Sequence, residues 1–346
     1  MKGKSVKFLV VRTDNIGDLV CTTPVFRVLR KHYPEAYIAA FVNSYNAPVL
    51  ENNPDINAVY AYTKGKHSTN ALLSHWRRLR LIVKLRRQHF DYAILAGAGL
   101  REKGVKFARL IGAKHIIGYT DLDKPLSQFV DMPIAYVQNQ AGHEVENTFR
   151  LLSALGIHEQ PPALRLVPNP ALVETINTQM AQQFPAYTNV APIGVHISAR
   201  KPSNRWPEAY FIELIQALWS KYQLPIMLFW SPGAESNVMH PGDDEKAARI
   251  LAAVTGIPIF ACVTKALPEL IAGLALPRAV ICSDGGAMHV AAGLGKPIVC
   301  FFGNSVVKSW HPWGVKHVVL QPASLDAADV SVGEALSAYE SLMASA

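Results

Sequence analysis

The chain has 346 residues, of which 50% are hydrophobic and 17% charged, and carries a formal net charge of +8. That length exceeds one ordinary core and fits two domains of roughly 150 to 180 residues each. No segment reaches the ~18 uninterrupted apolar residues that a membrane span needs. The apolar run Phe8–Val11 is too short, and followed by no small-residue cleavage site, to read as a secretory signal, so a soluble globular protein is expected. Cys21, Cys262, Cys282 and Cys300 lie far apart or inside apolar runs, without metal-ligand spacing, and read as buried thiols of a reducing compartment.

Taken in order, apolar runs alternate with helical periods. Val6 to Arg12 reads as a strand buried on both faces of a parallel sheet. Thr13 to Asp18 is a polar turn containing Gly17, and Leu19 to His32 has helical spacing. Short strands follow at Tyr37 to Val42 and Ala58 to Tyr62, with a helical stretch near Asn46 to Glu51 between them. Between Lys64 and Lys114 there are 13 Lys and Arg against 2 acids, so the basicity of the whole chain belongs to this region. Within it Leu72, Trp76, Leu79 and Val83 fall on one helical stripe, expected to be buried. Arg77, Arg80, Lys84 and Arg87 fall on the adjoining one, expected to face an anionic partner. A strand at Tyr92 to Leu95, a helix near Val105 to Ile111 and a strand at His115 to Gly118 come next. Thr120 to Tyr136 has no clear period and reads as a loop, and a helix is expected from about Gly142 to Leu155. Proline pairs at Pro161-Pro162 and Pro168-Asn169-Pro170 mark the domain boundary.

The second half alternates again. Strands are expected at Pro192 to Ile197, Ile226 to Trp230, Ala279 to Cys282, Ile298 to Phe302 and His317 to Leu320, with helices starting near Pro207, Asp243, Leu267 and Ala287. Two parallel-sheet domains, 1–165 and 166–328, therefore form an α/β protein, with a last helix in 329–346 that could pack back on the first domain. In such sheets ligands sit beyond the carboxyl ends of the strands. Three loops there carry chemistry. Ser283-Asp284-Gly285-Gly286 leaves a strand and opens a helix whose free N–H groups favour an anion, most plausibly a phosphate; a helix cap at Asp284 is the plainer alternative. His196 to Pro207 brings Ser198, Arg200, Lys201 and Arg205 to the mouth of a strand, a set that suits a diphosphate. Asp14 and Asp18 flank the first turn.

The pattern Arg12-Thr-Asp-Asn-Ile-Gly-Asp18-Leu, then Thr22-Thr-Pro24, Arg205-Trp206-Pro207-Glu208, and Ser283-Asp284-Gly285-Gly286-Ala-Met288-His289-Val-Ala-Ala292 with Lys296-Pro297 resembles glycosyltransferase family 9, the lipopolysaccharide heptosyltransferases, over essentially the whole chain. The resemblance implies the GT-B fold, with two Rossmann-like domains facing a central cleft, the acceptor on the first and a nucleotide-sugar donor on the second. It implies inversion at the anomeric carbon with no metal and no resident cofactor, and ADP-heptose as co-substrate. It makes Asp18 the catalytic base, with Asp14 as runner-up. Ser198, Arg200, Arg205, Asp284, Gly285, Gly286, Ala287, Met288 and His289 become donor contacts, and Thr13, Arg77, Arg80, Lys84 and Arg87 acceptor contacts. An anionic glycolipid or oligosaccharide acceptor implies a cytoplasmic protein at the inner membrane's cytoplasmic face, with no nucleic-acid partner. Two departures stand out. Asn204 occupies the family's Lys position, leaving Arg205 or Lys201 to supply the cation, and the ribose-binding acid could be Glu235, Asp244 or Glu245.

Other readings fit less well. No G-x-G-x-x-G follows a predicted strand, which argues against a nicotinamide dehydrogenase. A GT-B sugar-nucleotide epimerase would hardly need the basic helix, and a nucleic-acid module would leave the strand-end loops unexplained.

Overall fold

The computed structural model describes residues 5–63, 71–121, 123–136, 142–237 and 242–344, with side chains 71–75 excepted. The chain divides by its contacts into Met1–Arg165 and Leu166–Ala346. The first unit runs β1 (Lys7–Val11), α1 (Ile16–Val20), α2 (Thr23–His32), β2 (Tyr37–Asn43), β3 (Ala58–Tyr62), α3 (Ala71–Arg86), β4 (Tyr92–Leu95), α4 (Glu102–Leu110), β5 (His115–Thr120), β6 (Met132–Ala135) and α5 (Glu144–Phe149). The second runs α6 (Pro170–Gln183), β7 (Ile193–His196), α7 (Glu208–Tyr222), β8 (Ile226–Phe229), α8 (Asp244–Ala253), β9 (Ile259–Ala261), α9 (Leu267–Leu274), β10 (Ala279–Ser283), α10 (Gly286–Gly293), β11 (Ile298–Phe301), α11 (Val307–Trp310), β12 (His317–Leu320) and α12 (Val332–Ala344).

Each unit is built on a six-stranded sheet, ordered β3-β2-β1-β4-β5-β6 in the first and β12-β11-β10-β7-β8-β9 in the second, and the paired strands are parallel. Read from its own first strand outward, the second sheet has the same order as the first, the doubly wound arrangement. Each sheet therefore reverses winding direction at one place, between β1 and β4 and between β7 and β10. The central strands are apolar on both faces because helices cover both, and Phe8, Leu9, Val10, Val280, Ile281 and Cys282 are completely buried.

Several elements differ from the sequence reading for identifiable reasons. The single helix expected over Leu19 to His32 is broken at Cys21-Thr22. Pro24 has no N–H to give and its ring would meet the Val20 carbonyl one turn back. The hydroxyls of Thr22 and Thr23 take up the freed carbonyls, on Asp18 at 2.8 Å and Val20 at 2.7 Å. The stretch expected as a loop, Thr120 to Tyr136, contains a 3₁₀ turn, Pro125–Phe129, and β6, where Pro133 is tolerated because β6 is an edge strand. The expected Gly142 to Leu155 helix tightens into a 3₁₀ turn, Arg150–Leu155, after α5. The last helix packs on α7, β11 and β12, burying Ala335, Ala338, Tyr339 and Leu342 in the second core. Trp206 is tied to the preceding turn by an Nε1–H bond of 2.8 Å to the Val330 carbonyl.

The apolar stripe of α3 also turns out differently. Leu85 is completely buried in the first core, and Leu81 packs against the same core. Trp76, Leu79 and Val83, expected inside, are exposed by 63%, 51% and 40%. The helix carries apolar residues on two opposite sides, and the sheet can cover only one. Leu72 lies outside the described side chains.

Candidate functional site

In the first unit the loop after β1 is organised by one buried guanidinium. Arg12, 1% exposed, directly follows β1 and meets three carboxylates: Asp18 Oδ1 at 2.6 Å, Glu144 Oε1 at 2.8 Å and Asp14 Oδ2 at 3.2 Å. Asp14 is also held by Arg101 at 2.6 Å, from the loop after β4 on the other side of the winding reversal. Its carbonyl accepts from Tyr45, Asn43 and Asn46, while Asn43 also donates to the Thr13 carbonyl. Asp18 sits in the first turn of α1, where its second oxygen accepts the Asn15 N–H at 2.9 Å. Asp18 thus completes a capping box with Asn15 at the start of α1, and its carboxylate serves the cluster as well.

Burial alone would raise the Asp18 carboxyl, but the Arg12 guanidinium and the Asn15 N–H outweigh it and hold it below the ordinary carboxylate range. Asp18 is therefore ionised at neutral pH and able to accept a proton. Arg12 and Glu144 were not singled out from sequence. The available signal was a cation closing an otherwise apolar strand, which must find its anions inside. Arg77, Arg80 and Lys84 are exposed on α3 and Arg87 just after it, as read from the sequence.

In the second unit the loops after β7, β10 and β11 converge at the other reversal. Asn204, 1% exposed, donates to Asp284 Oδ2 at 3.0 Å and accepts the Gly303 N–H at 2.9 Å. Gly303 is required there, since a Cβ would stand 2.0 Å from the Ser203 carbonyl oxygen. Lys201 Nζ donates to Ser305 Oγ at 2.9 Å, and Asn204 reaches the same hydroxyl at 3.4 Å. Lys201 thus stands beside the Asn204–Asp284 pair, whereas Arg205 turns to the Ala199 carbonyl at 3.2 Å. Arg200 is exposed on the same loop.

Beyond Asp284, Gly285 caps α10, and the N–H groups of Gly286, Ala287 and Met288 lie in its first turn without an intrahelical acceptor. The Ser283 hydroxyl, buried at the end of β10, has no hydrogen-bond partner among the described residues. Met288 is completely buried and His289 is 3% exposed, edge-on to Trp310 at 5.9 Å. Both were expected as donor contacts, and their side chains are buried, as is the rest of α10 from Ala287 to Gly293. Ser198 Oγ accepts the Ser231 N–H at 2.8 Å and so joins the loops after β7 and β8.

Of the three acids considered for a ribose, Asp244 is engaged by Trp230 Nε1–H at 2.7 Å and Gly233 N–H at 2.9 Å. Glu235 pairs with Arg249 at 2.7 Å, and Glu245 accepts the Glu235 N–H at 3.0 Å. Lys246, unremarked in the sequence, bridges the Ile197 and Trp206 carbonyls at 3.1 and 3.3 Å and fixes the shape of the loop after β7.

The family described as Glycosyltransferase family 9 (heptosyltransferase) matches residues 78–339. Among curated proteins, lipopolysaccharide heptosyltransferase 3 of Escherichia coli is 25% identical over 304 residues, covering 86% of this chain and 83% of the relative. Among solved structures, a family 9 glycosyltransferase from Veillonella parvula superposes with a TM-score of 0.78 at 20% identity, covering 100% of this chain and 99% of that one. The E. coli ADP-heptose lipopolysaccharide heptosyltransferase II gives 0.76 at 21% identity, covering 98% and 99%. Both likenesses establish the GT-B fold. Matched over most of its length, with both winding reversals carrying its polar loops, the chain belongs to glycosyltransferase family 9, the heptosyltransferases, and is a glycosyltransferase.

Proposed function

We propose that this chain transfers a heptose from ADP-heptose, with inversion, onto a lipopolysaccharide core or related surface-glycan acceptor at the cytoplasmic face of the inner membrane. The observation that carries this reading is the cation-flanked helix N-terminus at Asp284–Met288 of the second unit; the ionised, guanidinium-anchored Asp18 of the first unit supports it separately. Relatives named for lipopolysaccharide heptosyl transfer, one of them named with ADP-heptose, support the choice of sugar and carrier.

The acceptor hydroxyl gives its proton to the Asp18 carboxylate as its oxygen bonds to the anomeric carbon. The bond from that carbon to the diphosphate breaks, and ADP leaves with the electron pair. When Asp18 is neutralised, Arg12 keeps Glu144 and Asp14 as counter-ions, so no bare charge is left inside. The N–H groups of Gly286, Ala287 and Met288, with Lys201 and Arg200, take up the charge growing on the diphosphate, which is the electrostatic task a divalent ion performs elsewhere. Lys201 thereby supplies the cation that Asn204 cannot, and Asn204 holds Asp284 in place. Arg77, Arg80, Lys84 and Arg87 meet the acceptor's anionic groups. The test is mass spectrometry of the surface glycolipid from cells lacking this protein. A core truncated at a heptose is expected, and an unchanged glycolipid refutes the reading.

A further inference from the structure

The outer side of α3 has an architecture that sugar transfer alone does not use. Leu81 and Leu85 face the first core, and the main contacts of the helix are with β3. On the opposite side Trp76, Leu79 and Val83, one helical turn apart in succession, stand in solvent. With Arg80, Lys84 and Arg87 they line a shallow hollow of about 400 Å³. Helical geometry places Arg80 and Arg87 along one flank of this apolar line and Arg86 along the other, all exposed. An apolar ridge with an aromatic residue and a rim of cations is the pattern of a helix lying in a bilayer interface, and exposing such a ridge to water is unfavourable unless something covers it.

We propose that α3 is a membrane-docking helix. Trp76, Leu79 and Val83 enter the headgroup and upper acyl region of an anionic bilayer, and the flanking arginines and Lys84 bind its phosphates. The charge complementarity selects this occupant, because a second copy of the chain would bring equally basic rims together. The inference rests on the reading of the basic stripe above and adds to it a depth of insertion and an apolar contribution that salt does not screen. It also explains a helix with two apolar sides, one for the core and one for lipid.

The test uses the full chain and vesicles of phosphatidylcholine with or without phosphatidylglycerol, some carrying brominated acyl chains that quench nearby indoles. Wild type is expected to bind the anionic vesicles and to lose tryptophan fluorescence to bromine. Trp76→Phe should bind almost as well but lose most of that quenching, although five other tryptophans remain of the six. Trp76→Ser/Leu79→Ser/Val83→Ser should bind about thirtyfold more weakly or worse. Each cation changed to Gln should cost about fivefold at low salt and less at high salt. Circular dichroism matching wild type certifies the variants, since all the altered side chains are exposed.

The proposal is overturned if the apolar triple variant binds vesicles like wild type, or if Trp76→Phe is quenched as strongly. It is also overturned if wild type ignores anionic vesicles, or forms a dimer that the triple variant abolishes. Transfer to a delipidated, water-soluble acceptor separates the two readings. The triple variant should retain it if both hold, and vesicle insertion without any transfer would refute the enzymatic reading alone.

Discussion

Replacing Arg12 with leucine removes the cation around which the first loop is built. Asp14 keeps Arg101, but Asp18 and Glu144, whose side chains are 12% and 8% exposed, lose their closest counter-ion. Breaking a buried ion pair by deleting one partner typically costs about 3 to 5 kcal/mol, because the remaining charge is stranded. Here two are stranded, so the upper end is expected at pH 7.5. The pH dependence follows from the same cluster. In the wild type the Asp18 carboxyl is depressed, so its stabilisation is present above the unfolded value of about 4 and is lost as pH falls through the folded one. In the variant only the Asn15 N–H still opposes burial, so the carboxyl rises and protonation relieves the strain. The deficit should therefore shrink between pH 7.5 and 5. Native-state hydrogen exchange of the β1 amides measures it within the first unit. Arg12→Leu with Glu144→Leu should be more stable than the sum of the single effects predicts. A deficit under about 1 kcal/mol, or one equal at both pH values, would refute the account of this cluster.

Three further outcomes follow. Asp18→Asn, nearly isosteric but unable to take the proton, should retain ADP affinity and lose at least about a hundredfold in turnover, whereas Asp14→Asn should lose much less; the reverse pattern in steady-state kinetics would exchange their roles. Asp284→Ala and Arg200→Ala should each weaken ADP binding by roughly ten- to hundredfold in calorimetric titration, with unchanged affinity removing that loop from the donor site. His196, buried at the end of β7, is pushed down to about 4 by burial. The unfolded chain therefore binds a proton that the native one refuses, and stability should fall by up to about 3 kcal/mol as pH drops from about 6.5 to 4. A His196 imidazole that titrates near 6.5 by NMR contradicts this.

The alternation of apolar runs and helical periods was sufficient to read two parallel α/β domains, because strands buried on both faces leave an unbroken apolar signature. The equivalence of the two sheet orders was invisible, since the halves share no repeat and order is set by pairing at long range. Gly285-Gly286 and Asp18 were legible because turn and cap chemistry is local. Arg12 and Glu144 are 132 residues apart, and only the fold brings the start of α5 to the end of β1. Asn204 looked like the loss of a cation and proves to be the residue that clamps Asp284 to Gly303. The α3 stripe was misassigned for a simple reason: periodicity finds apolar faces but does not say which one the sheet will cover.

The most direct measurement incubates the purified protein with ADP-heptose and a heptose-deficient lipopolysaccharide core, following acceptor mass and ADP release together. The account predicts that the acceptor gains one heptose for each ADP released, that little ADP appears without acceptor, and that Asp18→Asn abolishes both. ADP-heptose consumed equally without acceptor, or an acceptor of unchanged mass beside a protein that binds ADP, would contradict it.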